Sequence, residues 1–294
     1  MSGDTPVGII GLGLMGTALA ERLTGAGIAV IGFDIDANRR DVFRDDSRKI
    51  AASGSDLAGQ SQSIVIAVYD GAQVEALLGE FELSPARPAL ICTTTCAPDE
   101  IERIAARAAN AGFTFVEAPI SGTSAEVKDG AATALVAGDA DAIEALDALL
   151  AVLCPHRIRI GNIGDASRTK LAINLILQNN RAALAEGIVF AERLGLDGQA
   201  FLAAARQSAA YSRVMDTKGE KMVSRDFRPQ SHIAQTLKDA ELILHEARRR
   251  GLRLAVTEAR ADLLRAAIAL DGAERDSSAI IEAIRQRPSS EVVR

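Results

Sequence analysis

The feature that most constrains the fold is a run of three glycines near the N-terminus, spaced Gly-x-Gly-x-x-Gly. Gly11, Gly13 and Gly16 follow an apolar segment, residues 7–10, and open a segment of helical periodicity, residues 14–23. In a strand–turn–helix with this spacing, the first glycine permits a tight turn and the second lets the backbone approach a pyrophosphate. The third allows the helix to pack closely on the strand. The sequence therefore predicts a βα unit that places an anion at the N-terminus of its helix.

An acidic residue stands where the second strand of such a unit would end. Asp34 follows the apolar residues 29–33 and lies eighteen residues after Gly16. A carboxylate there accepts hydrogen bonds from both ribose hydroxyls of an adenosine and repels a 2′-phosphate, which favours NAD. Arg39 and Arg40 follow closely and could reach a phosphate, so NADP stays open. The purely structural alternative is a glycine turn that packs a helix on a sheet, with Asp34 as a solvated charge.

Short apolar segments alternate with helical segments over the first half of the chain only. This alternation predicts an α/β, Rossmann-type doubly wound parallel sheet with helices on both faces. The predicted strands are residues 7–10, 29–33, 64–68, 89–93, 113–117 and 133–136. The predicted helices are residues 14–23, 73–78, 100–111, 140–150, 165–194, 198–207, 232–250, 256–269 and 278–287.

The pattern changes at about residue 160, beyond which no strand is predicted. Residues 165–194 contain no proline and a single glycine, Gly187, so they predict one long interdomain helix. We therefore expect a dinucleotide-binding domain over residues 1–162. An all-α domain for substrate binding and oligomerisation should follow over residues 163–294.

Composition excludes several classes of partner. The 294 residues include 39 acidic and 33 basic side chains, for a net charge of −6, and only 3% are aromatic. Neither charge nor stacking surface favours nucleic acid, and no apolar segment approaches the ~20 residues of a membrane span. The N-terminus lacks the basic flank of a signal peptide, and the three cysteines match no disulfide pattern or complete zinc ligand set. We expect a cytoplasmic protein without a metal.

The predicted helix at residues 165–194 carries one polar stripe on an otherwise apolar surface. Its members recur at helical spacing and are Ser167, Lys170, Asn174, Gln178 and Arg181. A buried lysine is costly unless it is paired, and desolvation lowers the pKa of a lysine toward the range in which a proton-transfer group works. Two interpretations of Lys170 stay open: a catalytic group, or a structural lysine that reaches water or a carboxylate.

A second candidate site follows the fifth predicted strand, at the sheet edge where open α/β folds bind ligands. Ser121 offers a hydroxyl group, and Gly122 and Thr123 offer backbone N–H groups to which a carboxylate could bind. The alternative is an ordinary strand-to-helix turn in which the serine caps the helix.

Five motifs, in order, resemble those of the β-hydroxyacid dehydrogenase family, which includes 3-hydroxyisobutyrate dehydrogenase and tartronate semialdehyde reductase and is related to 6-phosphogluconate dehydrogenase. They are Gly11-Leu-Gly-Leu-Met-Gly16, Thr94-Thr-Cys-Ala-Pro98, Glu117-Ala-Pro-Ile-Ser-Gly122, Gly161-Asn-Ile-Gly164 followed by Lys170 and Asn174, and Leu237-Lys-Asp239. The resemblance covers nearly the whole chain. It implies an NAD(P)-dependent oxidoreductase that transfers a hydride between nicotinamide and a small β-hydroxy acid or semialdehyde.

The resemblance also implies roles for individual residues. Lys170 would be the general acid/base, and Asn174 would donate its amide to the substrate oxygen. Ser121, Gly122 and Thr123 would hold the substrate carboxylate, and Lys238 would touch the cofactor or substrate. The implied cofactor-binding residues are Gly11, Leu12, Gly13, Leu14, Met15, Gly16, Asp34, Val68, Thr95 and Lys238.

The chain departs from the family pattern at three places. Thr123 stands where a second glycine is usual, and its side chain should narrow the substrate pocket. Ile173 stands where the family usually has the first of two asparagines. The loop Val68-Tyr69-Asp70 replaces a frequent Leu-Pro.

Two alternative functions stay open. The first is an imine reductase-like NADPH enzyme, although members of that group usually have Asp or Tyr where this chain has Lys170. The second is a non-catalytic dinucleotide-binding assembly protein. Such a protein would keep the three glycines but would not need Lys170, Asn174 and Ser121 together.

The length of the predicted helix at residues 165–194 indicates self-association. It would span about 45 Å, and one small helical domain can scarcely cover its apolar surface. Members of the resembled family pair through this domain. We therefore expect a homodimer or a dimer-based tetramer. The alternative is a monomer whose later helices wrap the long one.

Overall fold

A computed structural model describes residues 5–45 and 48–286. The chain divides into two units, of which the first ends at Lys170 and the second begins at Leu171. This boundary lies inside one helix, whereas the sequence analysis placed the domain boundary after residue 162.

One sheet organises the described part of the first unit. Its strands are β1 (Val7–Ile10), β2 (Val30–Phe33), β3 (Arg48–Ile50), β4 (Ser63–Ile66), β5 (Ala89–Cys92), β6 (Phe115–Glu117), β7 (Ile120–Ser121), β8 (Thr133–Gly138) and β9 (His156–Gly161). The order is β3-β2-β1-β4-β5-β6-β8-β7, and β9 pairs with β8. Strands β1 to β6 pair in parallel in the order 3-2-1-4-5-6, which is the order of dinucleotide-binding sheets.

Helices cover both faces of this sheet. They are α1 (Leu14–Gly25), α2 (Ala37–Phe43), α3 (Gly54–Gln60), α4 (Gly71–Glu82), α5 (Pro98–Asn110), α6 (Ser124–Lys128), α7 (Ala140–Ala145) and α8 (Asp147–Leu153). Successive residues of β1 enter different cores, because side chains alternate along a strand. Ile9 packs in the core that contains Leu19 of α1, and Ile10 packs in the core that contains Leu78 of α4. The prediction of a doubly wound sheet is confirmed.

The sheet is dominated by parallel pairs, with an antiparallel part at one end. Strand β8 runs antiparallel to β6 and β7 and parallel to β9. Three strands were not predicted. Strands β3 and β7 have only three and two residues, too few for a periodic signal. Strand β9 alternates arginine and isoleucine, and Ile158 is 52% exposed, so it lacks the continuous apolar character of the buried strands.

The regular elements among the described residues of the second unit are helices, apart from one isolated bridge between His232 and Asp276. Helix α9 (Asp165–Arg193) crosses the boundary between the units. The remaining elements are α10 (Gly198–Arg206), a π-helical turn (Met215–Gly219), α11 (Glu220–Ser224), α12 (Ile233–Arg249), α13 (Ala255–Asp271), a 3-10 turn (Ser277–Ala279) and α14 (Ile280–Gln286). This confirms the all-α prediction. Residue 287, the end of the last predicted helix, lies outside the described residues.

Opposite charges mark the ends of α9, with Asp165 in the first turn and Arg193 in the last, as the helix dipole favours. Its later residues Leu184 and Ile188 pack in one apolar core with Leu202, Leu264 and Ile281. Among residues 5–45 and 48–286, none of the helices combines the length and apolar character that a membrane span requires.

A buried ion pair ties three parts of the second unit together. Lys218, in the π-helical turn, donates from Nζ to both carboxylate oxygens of Asp276 at 2.9 and 2.8 Å. Asp276 also accepts from the backbone N–H groups of Gln230 and Ser278. Burial lowers the pKa of Lys218 to about 8, so the pair is ionised at neutral pH. Neither side chain is more than 1% exposed.

We expect Lys218→Met to destabilise the protein by about 3–5 kcal/mol, because it leaves the Asp276 charge buried without its cation. The double variant Lys218→Met/Asp276→Asn should recover part of this loss, since it removes that charge. Urea unfolding monitored by circular dichroism measures both. A single variant within ~1 kcal/mol of the unaltered protein would contradict this account of the pair.

Candidate active site

The glycine loop between β1 and α1 is built from three glycines with different constraints. Gly11 has φ +89°, and a Cβ there would lie 2.3 Å from the Ala67 oxygen. A Cβ on Gly16 would lie 1.8 Å from the oxygen of Gly11. The fold therefore requires glycine at both positions. At Gly13 the nearest atom to an added Cβ is 3.8 Å away, so packing alone does not require this glycine.

The N-terminus of α1 is open to an anion. Gly13 is the N-cap, no side chain caps the helix, and the first turn carries no acidic residue. Free N–H groups and the helix dipole favour a phosphate at such a position, and the bare Gly13 backbone permits its approach. Leu14 and Met15, both partly buried, form this first turn. The residues present fit the pyrophosphate of a dinucleotide.

Asp34 joins the end of β2 to the glycine loop. Its Oδ2 accepts a hydrogen bond from the Leu12 N–H at 2.7 Å, and its Oδ1 accepts one from the Asp36 N–H at 2.9 Å. The residue is only 5% exposed, so it is not the solvated charge of the structural alternative. A carboxylate has about four lone-pair sites, which leaves acceptor capacity for ribose hydroxyls. Arg39 lies close, with Nη1 3.6 Å from Oδ2.

An open pocket of about 550 Å³ adjoins Asp34. Its lining combines apolar side chains with two guanidinium groups and comprises Phe33, Ile35, Arg40, Arg44, Ile50, Ala51 and Ala52. Arg40 is held in place by a hydrogen bond from Nη1 to the Asp34 carbonyl oxygen at 2.6 Å. Apolar walls and guanidinium planes suit a flat aromatic ring such as a purine.

The predicted cofactor residues Val68 and Thr95 lie in the loops after β4 and β5. The Thr94 hydroxyl joins these loops, since Oγ1 accepts from the Val68 N–H and donates to the Val68 carbonyl, both at 3.2 Å. Thr95 follows directly and is half-buried. Both loops leave the carboxyl ends of parallel strands, the same edge of the sheet as the glycine loop.

The segment Ser121-Gly122-Thr123 links β7 to α6. Gly122 has φ +154°, and a Cβ there would lie 2.7 Å from Cβ of Ala132, which explains the glycine. Thr123 is the N-cap of α6 and forms a capping box with Glu126. The Thr123 N–H is thereby donated to Glu126 Oε2 at 2.8 Å. This differs from the expected substrate contact of that N–H and leaves the Ser121 hydroxyl and the Gly122 N–H as candidate donors.

Lys170 reaches the same segment. The residue is 6% exposed, and Nζ donates to the carbonyl oxygen of Ile120 at 2.7 Å. The structure thus brings the ammonium group next to Ser121, forty-nine residues earlier in the chain. A buried ammonium group bound to a backbone carbonyl of β7 does not correspond to a lysine that extends to water.

Glu117 is a functional candidate to which the sequence analysis assigned no role. It is fully buried at the end of β6, and its Oε2 accepts from the Gly164 N–H, just before α9, at 2.7 Å. Burial raises the pKa of the Glu117 carboxyl, against the opposing effect of hydrogen bonds from Ser167 and Gly164. Glu117 therefore anchors the start of the helix that carries Lys170. Its position at the end of a buried strand was the signal available in the sequence.

In the second unit, Asn174 and Lys238 both meet Asp239. Asn174 is 3% exposed, and its Nδ2 donates to Asp239 Oδ2 at 3.0 Å. Lys238 Nζ lies 3.5 Å from Asp239 Oδ1, and its side chain is 17% exposed. Lys238 is therefore not the solvated surface charge that its helix position alone would suggest. Asp239 was recognised only as part of a motif.

The polar stripe on α9 is buried. Ser167, Lys170, Asn174, Gln178 and Arg181 are each no more than 7% exposed. The apolar circumference is less complete than expected, because Ile176 is 61% exposed. Within the described ranges no group of three or more His, Cys, Asp or Glu side chains could hold a metal ion.

We expect Glu117→Gln to change how stability depends on pH. The pKa of Glu117 lies above its ordinary value of about 4.5 because of burial, so its contribution is full below that value and is lost as pH rises through the raised pKa. Glutamine does not ionise. The difference in free energy of unfolding, unaltered protein minus variant, should therefore fall with rising pH. Urea titrations from pH 4 upward measure it, and a difference that rises would overturn the assignment.

Two family models match the chain. A family model described as the NAD binding domain of 6-phosphogluconate dehydrogenase matches residues 6–161. A second, described as NAD-binding of NADP-dependent 3-hydroxyisobutyrate dehydrogenase, matches residues 164–284.

Individual relatives cover nearly the full chain. The chain is 29% identical to 2-hydroxy-3-oxopropionate reductase of Escherichia coli (strain K12), over 95% of this chain and 96% of that protein. It is 28% identical to L-threonate dehydrogenase of Cupriavidus necator, over 93% and 94%. The crystal structure of a 3-hydroxyisobutyrate dehydrogenase from Salmonella typhimurium superposes with a TM-score of 0.86 at 25% identity, covering 95% of this chain and 99% of that one. The chain belongs to the β-hydroxyacid dehydrogenase family and is an NAD(P)-dependent oxidoreductase.

Proposed function

We propose that the protein interconverts a small β-hydroxy acid and its semialdehyde, with Lys170 as the group that accepts and returns the proton. The observation that carries this proposal is the buried Lys170 Nζ on the carbonyl oxygen of Ile120, beside Ser121. A non-catalytic dinucleotide-binding protein would have no need to bury an ammonium group next to such a loop.

The cofactor site is assigned to the glycine loop and its neighbours. Gly11, Gly13 and Gly16 would hold the pyrophosphate at α1, with Leu12, Leu14 and Met15 in the same turn, and Asp34 would hold the adenosine ribose. Val68, Thr95 and Lys238 complete the proposed set. When bound, NAD(P) supplies or accepts the hydride at its nicotinamide ring.

The chain's own residues then orient the substrate and move one proton. In oxidation, Lys170 Nζ in its neutral form takes the proton from the substrate hydroxyl; in reduction it returns that proton to the carbonyl oxygen. The Ser121 hydroxyl and the Gly122 N–H would hold the substrate carboxylate. The Thr123 N–H is donated to Glu126, so Thr123 would contribute to the pocket through its side chain instead. Asn174 would bind the reacting oxygen.

The names of the relatives support the substrate class. One is a reductase of 2-hydroxy-3-oxopropionate and another a dehydrogenase of L-threonate, both short carboxylates with oxygen functions on neighbouring carbons. We assign dinucleotide binding to residues 1–162, and substrate binding and assembly to residues 163–294. A cytoplasmic location stays a prediction from composition.

We also propose that the protein is a homodimer or a dimer-based tetramer that associates through α9. Ile176 and Phe190 on α9 and Leu194 directly after it are 61%, 66% and 63% exposed in the single chain. Exposed apolar side chains along a helix and at its end favour association with a second copy.

Lys170→Ala should fold and bind NAD(P) normally but lose about 10²–10⁴-fold in kcat, because a positioned acid/base contributes that much. A screen of three- to six-carbon hydroxy acids with NAD and NADP first identifies a substrate. Lys128→Ala, which alters a half-exposed lysine paired with Glu21, is the matched control and should keep full activity. Near-normal turnover of Lys170→Ala would refute the proposed role.

The unaltered protein should show a higher kcat/KM with NAD than with NADP, because the Asp34 carboxylate repels a 2′-phosphate. Asp34→Ala should narrow this preference, and Asp41→Ala, which removes an exposed charge on α2, should not. A preference of the unaltered protein for NADP would instead assign the dominant contact to Arg39 or Arg40.

Light scattering at micromolar concentration should show a dimer or tetramer. Phe190→Asp should weaken the assembly, whereas Leu252→Asp, at an exposed leucine outside α9, should not. A stable, fully active species of 30.9 kDa, the mass of one chain, would disprove the oligomer.

A further inference from the structure

Asp239 is a buried carboxylate that the proposed reaction does not use. It lies on α12 and is 6% exposed. Its Oδ2 accepts the hydrogen bond from Asn174 Nδ2 at 3.0 Å, and its Oδ1 lies 3.5 Å from Lys238 Nζ. Both groups that contact it belong to the proposed substrate and cofactor site. A buried carboxylate in this position is costly unless its charge is compensated.

A second cation lies near the same carboxylate. Arg181 on α9 is 7% exposed and is attracted by the charges of both Asp239 and Asp276. Its Nη1 donates to the Thr236 hydroxyl, one turn before Asp239 on α12, at 3.4 Å. With Lys238 on one side and Arg181 nearby, the negative charge of Asp239 is stabilised inside the second unit. Its Oδ2 is the acceptor of the hydrogen bond from the Asn174 amide.

This contact decides how the Asn174 amide is turned. The Asp239 oxygen accepts the hydrogen bond, so the amide presents an N–H to it. In the flipped orientation the amide oxygen of Asn174 would face Asp239 Oδ2. Two hydrogen-bond acceptors would then lie against each other without a proton between them. The amide group is planar, so with Nδ2 on Asp239 the carbonyl oxygen points away from that carboxylate. One N–H of Asn174 is thereby bound to Asp239. The second N–H and the carbonyl oxygen of the amide are the groups that can form hydrogen bonds with other partners.

We propose that Asp239 is a positioning residue that holds the Asn174 amide in this one orientation for catalysis, with Lys238 and Arg181 as its counter-charges. The catalytic part of this inference rests on the function proposed above, whereas the hydrogen bond between Asn174 and Asp239 does not depend on it. A misplaced contact near a reacting atom costs about 10²-fold in rate even when the protein stays folded.

Asp239→Asn tests the proposal because it keeps the shape but removes the charge, so the Asn174 amide can turn either way. We expect kcat to fall by about 10²-fold with KM little changed. The matched control is Glu246→Gln, which neutralises another largely buried carboxylate on α12, paired with Arg249 and Arg250. It should keep its kcat. An equal loss in the control would reduce the effect to a general disturbance of α12 and overturn the proposal.

A double-variant cycle separates positioning from a merely structural role. If Asp239 acts through Asn174, Asp239→Asn should cost almost nothing further in kcat once Asn174→Ala is present. Losses that multiply in the double variant would show that Asp239 acts independently of Asn174 and would refute the proposal.

A third measurement needs neither turnover nor a folded Asp239 variant. In the unaltered protein labelled with ¹⁵N-asparagine, the two Hδ2 protons of Asn174, assigned by their loss in Asn174→Ala, should differ widely in chemical shift. One of them should exchange slowly with solvent. Two equivalent, fast-exchanging protons would overturn the positioning contact even if the enzyme oxidises hydroxy acids. Conversely, protected protons in a protein that turns over no hydroxy acid would refute the proposed function alone.

Discussion

Burying polar side chains on α9 is the constraint on which the proposed site depends. A polar group removed from water must find a partner inside the protein, and an ammonium or guanidinium group most of all. In the first unit the carbonyl of Ile120 receives Lys170, and Glu117 receives the N–H of Gly164 at the start of the helix. In the second unit Asp239 receives Asn174, and Thr236 receives Arg181. Three of these partners each hold one side chain of the stripe, and Glu117 holds the start of the helix, as the proposed catalysis requires.

The cofactor loop obeys a different constraint, one of backbone space rather than polarity. Gly11 and Gly16 are demanded by contacts inside the protein, whereas Gly13 has no such contact. We propose that Gly13, which packing does not require to be glycine, serves the approach of a ligand to the backbone at the uncapped end of α1. Asp34 then does two things at once. It orders the loop through the Leu12 N–H and keeps acceptor capacity for a ribose.

Much of this was predictable from local patterns, because those patterns are set by local physics. The strand before Gly11, the long helix α9 and its polar stripe follow from periodicity and from the absence of proline. The antiparallel course of β8 was not predictable, since pairing direction depends on contacts distant in the chain. Glu117 and Asp239 lie in the quoted motifs. Which groups their carboxylates contact was not predictable, because the tertiary structure decides it. The engagement of the Thr123 N–H by Glu126 has a sequence signal, the Thr-x-x-Glu spacing of a capping box, which the family resemblance obscured.

The central claim is that Lys170 carries the proton of the reaction. The most direct test is chemical rescue of Lys170→Ala by small primary amines, with turnover of a hydroxy acid measured against amine concentration and pH. The account predicts that methylamine restores activity in a saturable manner. It also predicts that the rate follows the neutral fraction and basicity of the amine in the oxidative direction. A variant that binds substrate and cofactor normally but is not rescued by any amine small enough to enter the space left by the side chain would contradict it.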